Sequence, residues 1–495
     1  MSTYLETARF PRLERQGFMF GMTGGQLGVL AGAGALLMRA VLAQDIANIV
    51  ATIFFVAGPL AAFGTITVQR RALTTITLEI GVWYMRKLLG QTTWKVRPES
   101  TVEDHSFGVP GAVGTRISVH RTGFADGALL WDAREHTATA VMRVEATSFA
   151  LASDDDRAGR AAGWAQLCAQ VVQHEGVSRV ATYARTIPAA SAAASDYYAR
   201  TSAQRGAGAA ASEWADAQYR ELLDQGRSLD AAVGVVSRDT LVAITIDANA
   251  ARNLIKGAGG GKRGMSLVMA REVAALGRLL EEAGATSTSW LTAEEVAETI
   301  RVAFDPGAVD AMEDRRAHGV TPVQVPAAGP TVVHEEVDHL VTDTGLHQTF
   351  WVAEWPRTEV PIGFLASLLC RGTYAHTFTQ VFTPVPLHKA LKDVADARMG
   401  IESQMNVNTR LGRPITAEMN ASLADVMERE QELTQGFGDV RFTGYLTISA
   451  PTEDGLGAAR AEALMAASQL DLRLLKRQQA AAFTAAALPI GWGLK

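Results

Sequence analysis

Two long apolar segments near the start of the chain constrain its architecture more than any other feature. They cover Phe20–Met38 and Ile46–Val68, and a short, more polar stretch separates them. Each is long enough to cross a hydrocarbon core of about 30 Å as an α-helix. Because the connection is too short to hold a domain, we expect the two helices to run antiparallel as a membrane-spanning hairpin.

Basic residues flank this hairpin unevenly. Arginines precede the first segment and basic residues follow the second, whereas only Arg39 lies in the connection. Cytoplasmic flanks carry an excess of Lys and Arg, so both ends of the hairpin and the rest of the chain are predicted to face the cytoplasm. The predicted location is therefore the cytoplasmic (inner) membrane. The cytoplasmic-side anchors that this pattern identifies are Arg12, Arg15, Arg70, Arg71, Trp83, Arg86 and Lys87.

Glycine recurs at every fourth position of the first segment, at Gly24, Gly28 and Gly32. Small residues at this spacing form a shallow groove that another helix can approach closely. We favour packing on the chain's own second helix, and a helix of a partner is the alternative. A cleaved signal peptide ending at Ala43 is disfavoured, because the apolar region is longer than a secretory signal and a second span follows.

The rest of the chain has the composition of ordinary globular domains. The chain has 495 residues, 48% of them hydrophobic and 20% charged, with a formal net charge of −6. This length allows two or three domains with cores of their own, and the mild acidity provides no general field that attracts nucleic acid. Cys168 and Cys370 lie in apolar helical segments, so we expect buried, reduced thiols rather than a disulfide.

Shifts in composition and periodicity divide the chain into four predicted units. Ala72–Leu89 has helical spacing and ends with aromatic and basic residues, which suits the membrane–water boundary. Prolines within 324–330 mark the clearest boundary between the two later halves. The units are 1–69, the hairpin with a cytoplasmic N-terminus; 70–100, an amphipathic juxtamembrane linker; 101–325, a first α+β lobe with a glycine linker near 257–264; and 326–495, a second α+β lobe with a long C-terminal helix.

Strand and helix patterns alternate in both halves. The predicted strands are Thr137–Val144, Val180–Thr186, Thr240–Ile246, Thr349–Pro356, His376–Phe382 and Val440–Ile448. The predicted helices are Ser153–His174, Met265–Ala283, Thr292–Ala303, Ile362–Cys370, Met419–Gly436 and a long helix over Leu456–Ala486. Strand–helix–strand units repeated in this way predict an α+β fold with two related lobes of ferredoxin-like type.

Three segments look like chemical motifs, and each lacks the spacing that the chemistry needs. The glycines of Lys256–Arg263 depart from the Gly-x-x-x-x-Gly-Lys-Ser/Thr order of a phosphate loop and predict a flexible linker. His334 and His339 are five residues apart and cannot share a helical face as zinc ligands, so a solvated polar segment is expected. Asp154–Asp156 follow Ser153, as acidic residues do at a helix N-terminus. We therefore predict no catalytic residue, cofactor or metal site.

Several segments carry a resemblance to known proteins. The basic N-terminus, the tight hairpin and Trp83–Trp94 resemble the PrgI family, small inner-membrane components of conjugation-type (type IV) secretion systems. The C-terminal half resembles the non-motor N-terminal region of the transfer ATPases of those machines. The segments that carry this second resemblance are Phe350–Pro356, Met419–Gly436, Phe442–Ala450 and Leu488–Leu494.

This resemblance implies a structural component of a type IV-like transfer apparatus that positions a separate, hexamer-forming ATPase at a channel and carries out no bond chemistry itself. The implied partners are the lipid bilayer, that ATPase, polytopic channel subunits and further copies of the chain. Contact with nucleic acid is left open. The alternative is an EccE-like accessory subunit of a type VII secretion complex, since those proteins also join two membrane helices to a cytoplasmic α/β domain. A tethered enzyme is disfavoured because the sequence lacks an intact phosphate loop.

Overall fold

The computed structural model describes residues 7–8, 24–43, 46–68, 71–96, 105–110, 116–124, 126–147, 152–174, 176–188, 198, 213–227, 236–356, 358–371, 374–435 and 438–493. The chain forms two compact units. One is Leu13–Thr92, and the other combines Met1–Arg12 with Thr93–Lys495. The first unit is mainly helical. The second contains a large antiparallel sheet together with helices, which confirms the α+β class.

Helices and strands are numbered along the chain within the described residues. The helices are α1 Gly24–Leu42, α2 Ile46–Thr65, α3 Leu73–Leu88, α4 Asp154–Val171, α5 Glu213–Arg227, α6 Arg252–Gly257, α7 Gly261–Glu282, α8 Ala293–Phe304, α9 Val309–Ala317, α10 Ala366–Arg371, α11 Leu387–Arg410, α12 Ala417–Thr434, α13 Glu453–Ala466 and α14 Gln479–Ala487. The strands are β1 Thr7–Ala8, β2 Thr67–Val68, β3 Arg71–Ala72, β4 Thr93–Lys95, β5 Ser106–Gly108, β6 Arg116–Arg121, β7 Ala128–Asp132, β8 Thr137–Ala146, β9 Val177–Pro188, β10 Val236–Asp247, β11 Ala285–Trp290, β12 Val332–Glu335, β13 Leu340–Val341, β14 Leu346–Glu354, β15 Val360–Pro361, β16 Ala375–Val385, β17 Asp439–Ala450 and β18 Asp471–Leu474.

One continuous sheet contains strands from both predicted lobes. Its order is β4-β12-β13-β14-β17-β16-β9-β10-β8-β7-β6-β5, with β11 beside β8 and β18 beside β14. Antiparallel pairing of β9 with β16 joins the halves, from His376 opposite Thr186 to Phe382 opposite Val180. The boundary predicted between residues 325 and 326 therefore separates stretches of sequence whose strands hydrogen-bond to one another.

The two halves of this sheet have the same strand order. In the first half, β8, β9, β10 and β11 lie side by side as β11-β8-β10-β9, with α4 and α7 between the strands in sequence. In the second half, β14, β16, β17 and β18 lie as β18-β14-β17-β16, with α10 and α13 in the equivalent connections. In each half the first strand thus lies between the fourth and the third.

Both faces of the sheet are buried. Successive side chains of a strand point to opposite faces, and those on each face pack in a core cluster. In β10, Ile244 and Ile246 belong to a core cluster with α4 and α7, whereas Ala243 belongs to the cluster on the other face. In β17, Leu446 and Ile448 pack in a core cluster with residues of α10 and α13. The sheet is therefore the middle layer of three.

The long C-terminal helix predicted for Leu456–Ala486 is wrong. α13 ends at Ala466, β18 then pairs with β14, and α14 begins only at Gln479. Although alanine and leucine favour a helix, β14 offers hydrogen bonds to residues 471–474, and Arg477 adopts a φ of 65° that a right-handed helix does not allow. All the residues of α14 except Ala481 are buried, so its alanines allow close packing rather than forming a solvated face.

The segment that contains α14 is hydrogen-bonded to strands from both halves of the sheet. The Thr139 hydroxyl donates to the Ile490 carbonyl (3.2 Å), and the Thr379 hydroxyl donates to the Ala486 carbonyl. The Gln479 side chain accepts from the N–H of Thr349 (2.9 Å) and donates to its carbonyl (3.2 Å). One segment is thus fixed to β8, β16 and β14 at once.

Removing the largest apolar side chain of α14 tests this arrangement. Phe483 is fully buried, and its ring lies 5.2 Å from that of Phe304 and 4.6 Å from that of His347. We expect Phe483→Ala to lower the free energy of unfolding by about 3–5 kcal/mol through lost burial and a residual cavity. The control Leu464→Ala, at a side chain that is 40% exposed, should cost less than about 1 kcal/mol. Denaturant unfolding in detergent measures both, and equal losses would contradict the packing described here.

A buried histidine lies beside α14. Nε2 of His347 is 2.8 Å from the Thr342 hydroxyl, and Nδ1 is 2.7 Å from the Ser449 hydroxyl. Since the Thr342 hydroxyl donates to the Phe304 carbonyl (2.6 Å), it accepts from Nε2–H, and Nδ1 accepts from Ser449. Burial lowers the pKa of His347 from 6.5 to about 3, so the neutral ring belongs to the folded state.

Acid should therefore destabilise the fold through His347. The unfolded state binds a proton near pH 6.5 and the folded state only near pH 3, so the stabilisation is complete above pH 6.5 and is lost as the pH falls. We expect a loss of up to about 1.4 kcal/mol per pH unit below pH 6.5. Unfolding curves at pH 7.5 and 5.5 measure it, with His347→Gln as the control that lacks this part of the pH dependence. An unchanged slope in the variant would exclude the effect.

Candidate functional site

The two apolar helices form the strongest candidate for a functional surface. α1 ends at Leu42 and α2 begins at Ile46, as expected for a tight hairpin. Both are long and apolar enough to cross a membrane, and only 17% and 6% of their most apolar windows are buried. Phe54 and Phe55 of α2 are 72% and 81% exposed. A core helix of a soluble protein is mostly buried, so this exposure favours a lipid environment.

α2 packs on α1 through a small residue near its end. A Cβ atom at Gly64 would lie 3.2 Å from Cγ1 of Val29 and 3.6 Å from the carbonyl oxygen of Gln26. A larger side chain would push the helices apart, since a contact of 3.2 Å is already tighter than usual. Close approach between these two helices therefore depends on Gly64.

A π-helical turn interrupts α2 at Ile53–Ala57. Gly58 donates its N–H to the Ile53 carbonyl, and a Cβ atom at Gly58 would collide with that oxygen. Pro59 follows and has no N–H to continue the α-helical pattern. A wider turn before a proline relieves the clash between its ring and the preceding carbonyl, and glycine gives the required space.

The predicted glycine groove is not the surface on which α2 packs. Nothing in the described part of the chain lies within 4 Å of a Cβ atom built at Gly24, Gly28 or Gly32. The favoured interpretation, internal packing of these glycines, is therefore wrong, because α2 contacts the face of α1 that carries Val29 and Leu30. The alternative, packing of these glycines on a helix of a partner, stays a prediction.

α3 follows the hairpin and places the predicted aromatic and basic anchors. Trp83 is buried, with Nζ of Lys87 5.0 Å from its ring centre and the Tyr84 ring 5.2 Å away at a steep angle. A cation above an aromatic face is stabilised by the ring quadrupole. Arg86 lies in the same last turn. The predicted helix over Ala72–Leu89 is confirmed as Leu73–Leu88.

The other predicted anchors are only partly described. Arg12, Arg15 and Arg70 lie outside the described residues. Arg71 pairs with Val68 in a two-residue ladder between α2 and α3. Their role as membrane anchors stays a prediction.

α3 also carries an apolar row that was not predicted from the sequence. Leu78, Val82, Met85 and, just beyond the helix, Leu89 follow the i, i+4, i+7, i+11 spacing of one helical face. They are 68%, 44%, 56% and 62% exposed. The spacing was visible in the sequence, but only the structure reveals that the row faces away from the protein.

The glycine-rich segment 257–264 is a tight helix–turn–helix rather than a flexible linker. α6 ends at Gly257 and α7 begins at Gly261, and Gly259 and Gly260 between them have φ values of 103° and 71°. Such angles strain any residue with a Cβ atom, so the glycines allow the chain to turn between the two helices within three residues. Lys262 and Arg263 lie in the first turn of α7, which begins without the strand that a phosphate loop requires.

In the segment 334–339 the two histidines contact different side chains. His334 contacts the Thr93 hydroxyl (2.8 Å) and Glu336 (3.0 Å), whereas His339 contacts Asp338 (2.9 Å). No group of three metal-binding side chains occurs among the described residues. The prediction of a solvated segment is wrong for Glu335, which is buried and accepts the N–H of Ala480 (3.1 Å) at the start of α14. A carboxylate there satisfies a free N–H and the helix dipole.

The acidic run and the cysteines have structural explanations. Ser153 caps α4 by accepting the N–H of Asp156 (3.2 Å), which confirms the predicted helix start. Both cysteines are free thiols. Burial raises the pKa of Cys168 to about 11. Cys370 is exposed, contrary to prediction, because the short helix α10 buries its Leu368 side instead.

Comparison with known families finds a match in the middle of the chain. The sequence model of the family described as "Putative type VII ESX secretion system translocon, EccE" matches residues 235–352. Residues 235–352 are similar to EccE. This stretch begins with β10, at the centre of the sheet, and ends within β14. A search of curated proteins gives no match.

This match corrects the functional expectation drawn from the sequence. The type IV, conjugation-type apparatus is contradicted, because the matched family belongs to type VII secretion. The ATPase that would accompany a type IV machine loses its support with it. The PrgI resemblance rests on fold pattern and short apolar motifs, and the match over residues 235–352 does not test it. The alternative named from the sequence, an EccE-like subunit, agrees with the match.

Two glycine variants separate packing inside the hairpin from packing on a partner. We expect Gly64→Leu to lower the thermal stability of the hairpin in detergent, since its side chain would collide with Val29. Gly28→Leu should leave that stability unchanged, since its Cβ position is open. Cross-linking between cysteines placed on α1 and α2 measures hairpin packing during heating. Equal behaviour of the two variants would contradict the helix faces assigned here.

Proposed function

We propose that this chain is an EccE-like membrane component of a type VII secretion translocon. The observation that carries the proposal is the family match over residues 235–352. It is supported by the two exposed apolar helices at the start of the chain, which suit a subunit held in a membrane. No enzymatic role is proposed, because the described residues contain no metal-binding cluster and the candidate phosphate loop is a turn between helices.

In this proposal the hairpin lies in the cytoplasmic membrane, and both its ends face the cytoplasm. The distribution of basic residues around the two apolar segments supports that orientation. The sheet-containing unit then lies in the cytoplasm, where reduced cysteines such as Cys168 and Cys370 are the rule.

We further propose that the two halves of the sheet are related ferredoxin-like lobes. Both halves have the spatial strand order fourth-first-third-second. Both also have the chain order β-α-β-β-α-β, with additional helices α5 and α6 in the first half and α11 and α12 in the second. In such lobes the helices that cover the sheet, such as α4 and α13, provide the surface for protein contacts. The partners in this proposal are the bilayer, other membrane subunits of the translocon and further copies of the chain.

Purification from the native membrane tests this function. The tagged chain is extracted in mild detergent, and the proteins that accompany it are identified by mass spectrometry. We expect membrane subunits of a type VII system in constant proportion to the chain. A tagged form of residues 93–495, which lacks the hairpin, is the matched control and should recover fewer of them.

Two results would contradict the proposal. One is recovery of the full chain from the membrane without any type VII subunit. The other is constant recovery with subunits of an unrelated membrane complex.

A further inference from the structure

The start of α3 lies at the end of the hairpin where α1 begins and α2 ends. The Leu73 N–H donates to the Ile66 carbonyl (3.0 Å), one residue beyond α2. A Cβ atom at Gly25, in the first turn of α1, would lie 3.9 Å from the Thr74 hydroxyl. If the hairpin crosses a bilayer, this end lies at one surface of it, so α3 begins at the boundary between lipid and water.

α3 is unsuited to crossing the membrane itself. It has 16 residues, fewer than the roughly 20 that a spanning helix needs. It also carries Glu79, Arg86 and Lys87. Charged side chains are costly inside hydrocarbon and are accommodated where they can reach water.

α3 nevertheless carries the exposed apolar row described above. Leu78, Val82, Met85 and Leu89 lie within one narrow sector of the helix and are all exposed. Arg86 lies at the side of this sector, and Lys87 lies half a turn away from it, above Trp83. An apolar row with basic and aromatic neighbours is typical of helices that lie in the plane of a membrane surface.

We propose that α3 lies flat in the surface of the phospholipid bilayer, with Leu78, Val82, Met85 and Leu89 inserted among the lipids. This deepens the proposed function and rests on its membrane location. The hairpin would hold the chain in the bilayer, and α3 would fix the direction in which the chain leaves it. The row would reach about 5–10 Å into the boundary between headgroups and acyl chains.

Spin labelling of the full chain in lipid vesicles tests the proposal. The native cysteines are replaced (Cys168→Ala and Cys370→Ser), and single cysteines are introduced as Leu78→Cys, Val82→Cys, Met85→Cys and Leu89→Cys. The four labelled positions are exposed, so the labels leave the core intact. Vesicles of phosphatidylcholine and phosphatidylglycerol are used. Accessibility to oxygen, which partitions into lipid, is compared with accessibility to a water-soluble nickel chelate.

Two further labels serve as controls. Lys87→Cys reports the opposite face of α3, and Phe55→Cys reports the middle of α2. We expect the oxygen-to-nickel ratio to be several-fold higher at the four row positions than at Lys87, and highest at Phe55. That periodic pattern would support the proposal.

The remaining outcomes would overturn it in distinguishable ways. Row positions that are as open to nickel as Lys87 would mean that the row faces water. Row positions closed to both reagents would mean that protein covers them. In either case a lipid-exposed Phe55 would leave the proposed membrane location intact. If Phe55 itself is open to nickel, the hairpin is outside the bilayer, and both proposals fail together.

Discussion

Buried threonine hydroxyls in the middle of the sheet form hydrogen bonds with α14 and the residues after it. This C-terminal segment contacts both halves of the sheet. Thr139 and Thr245 lie opposite each other with their hydroxyl oxygens 3.0 Å apart, and Thr349 and Thr447 do the same at the equivalent place in the second half. These polar groups are buried, and a buried hydroxyl without a partner is costly. Carbonyl oxygens of α14 and of the residues after it accept from Thr139 and from Thr379. The same segment also covers apolar side chains of both halves where β9 and β16 pair, a place we call the joint. One stretch of chain therefore provides both hydrogen-bond partners and apolar burial at the joint.

The joint explains why this sheet can be so wide. Each half alone would expose its second strand, β9 or β16, as an edge with unpaired N–H and carbonyl groups, and exposed edges invite unwanted pairing with other chains. Antiparallel pairing of these two strands removes both edges at once. The stretch similar to EccE runs from the third strand of the first half to the first strand of the second. It therefore includes the stretch of chain that connects the two halves in sequence. It does not include the hairpin, α14 or the paired strands β9 and β16.

Much of the local structure was predictable from the sequence, and the long-range arrangement was not. The hairpin, the cap at Ser153 and the alternating strand of Val440–Ile448 depend on neighbouring residues, so periodicity and capping identify them. The strand that interrupts the helix predicted for Leu456–Ala486 depends on hydrogen bonds to β14, which is distant in the sequence. Helix propensity depends only on local residues and does not predict such a strand. The open glycine stripe and the exposed row on α3 depend on which helix face a neighbour covers. The spacing of Gly24, Gly28 and Gly32 identified the stripe but did not show that α2 packs on a different face of α1.

The sequence separation of the contacts at the joint has a consequence for biogenesis. The hydrogen bond between Thr139 and Ile490 links residues 351 positions apart. Folds dominated by such distant contacts form slowly, because loops must close before the contacts stabilise them. α1 and α2 leave the ribosome before any described strand of the large sheet, and α14 leaves after all of them. The face of the sheet on which α14 packs thus lacks that cover while the chain is being synthesised. A nascent chain already held at the membrane would be kept away from other unfinished copies during that interval.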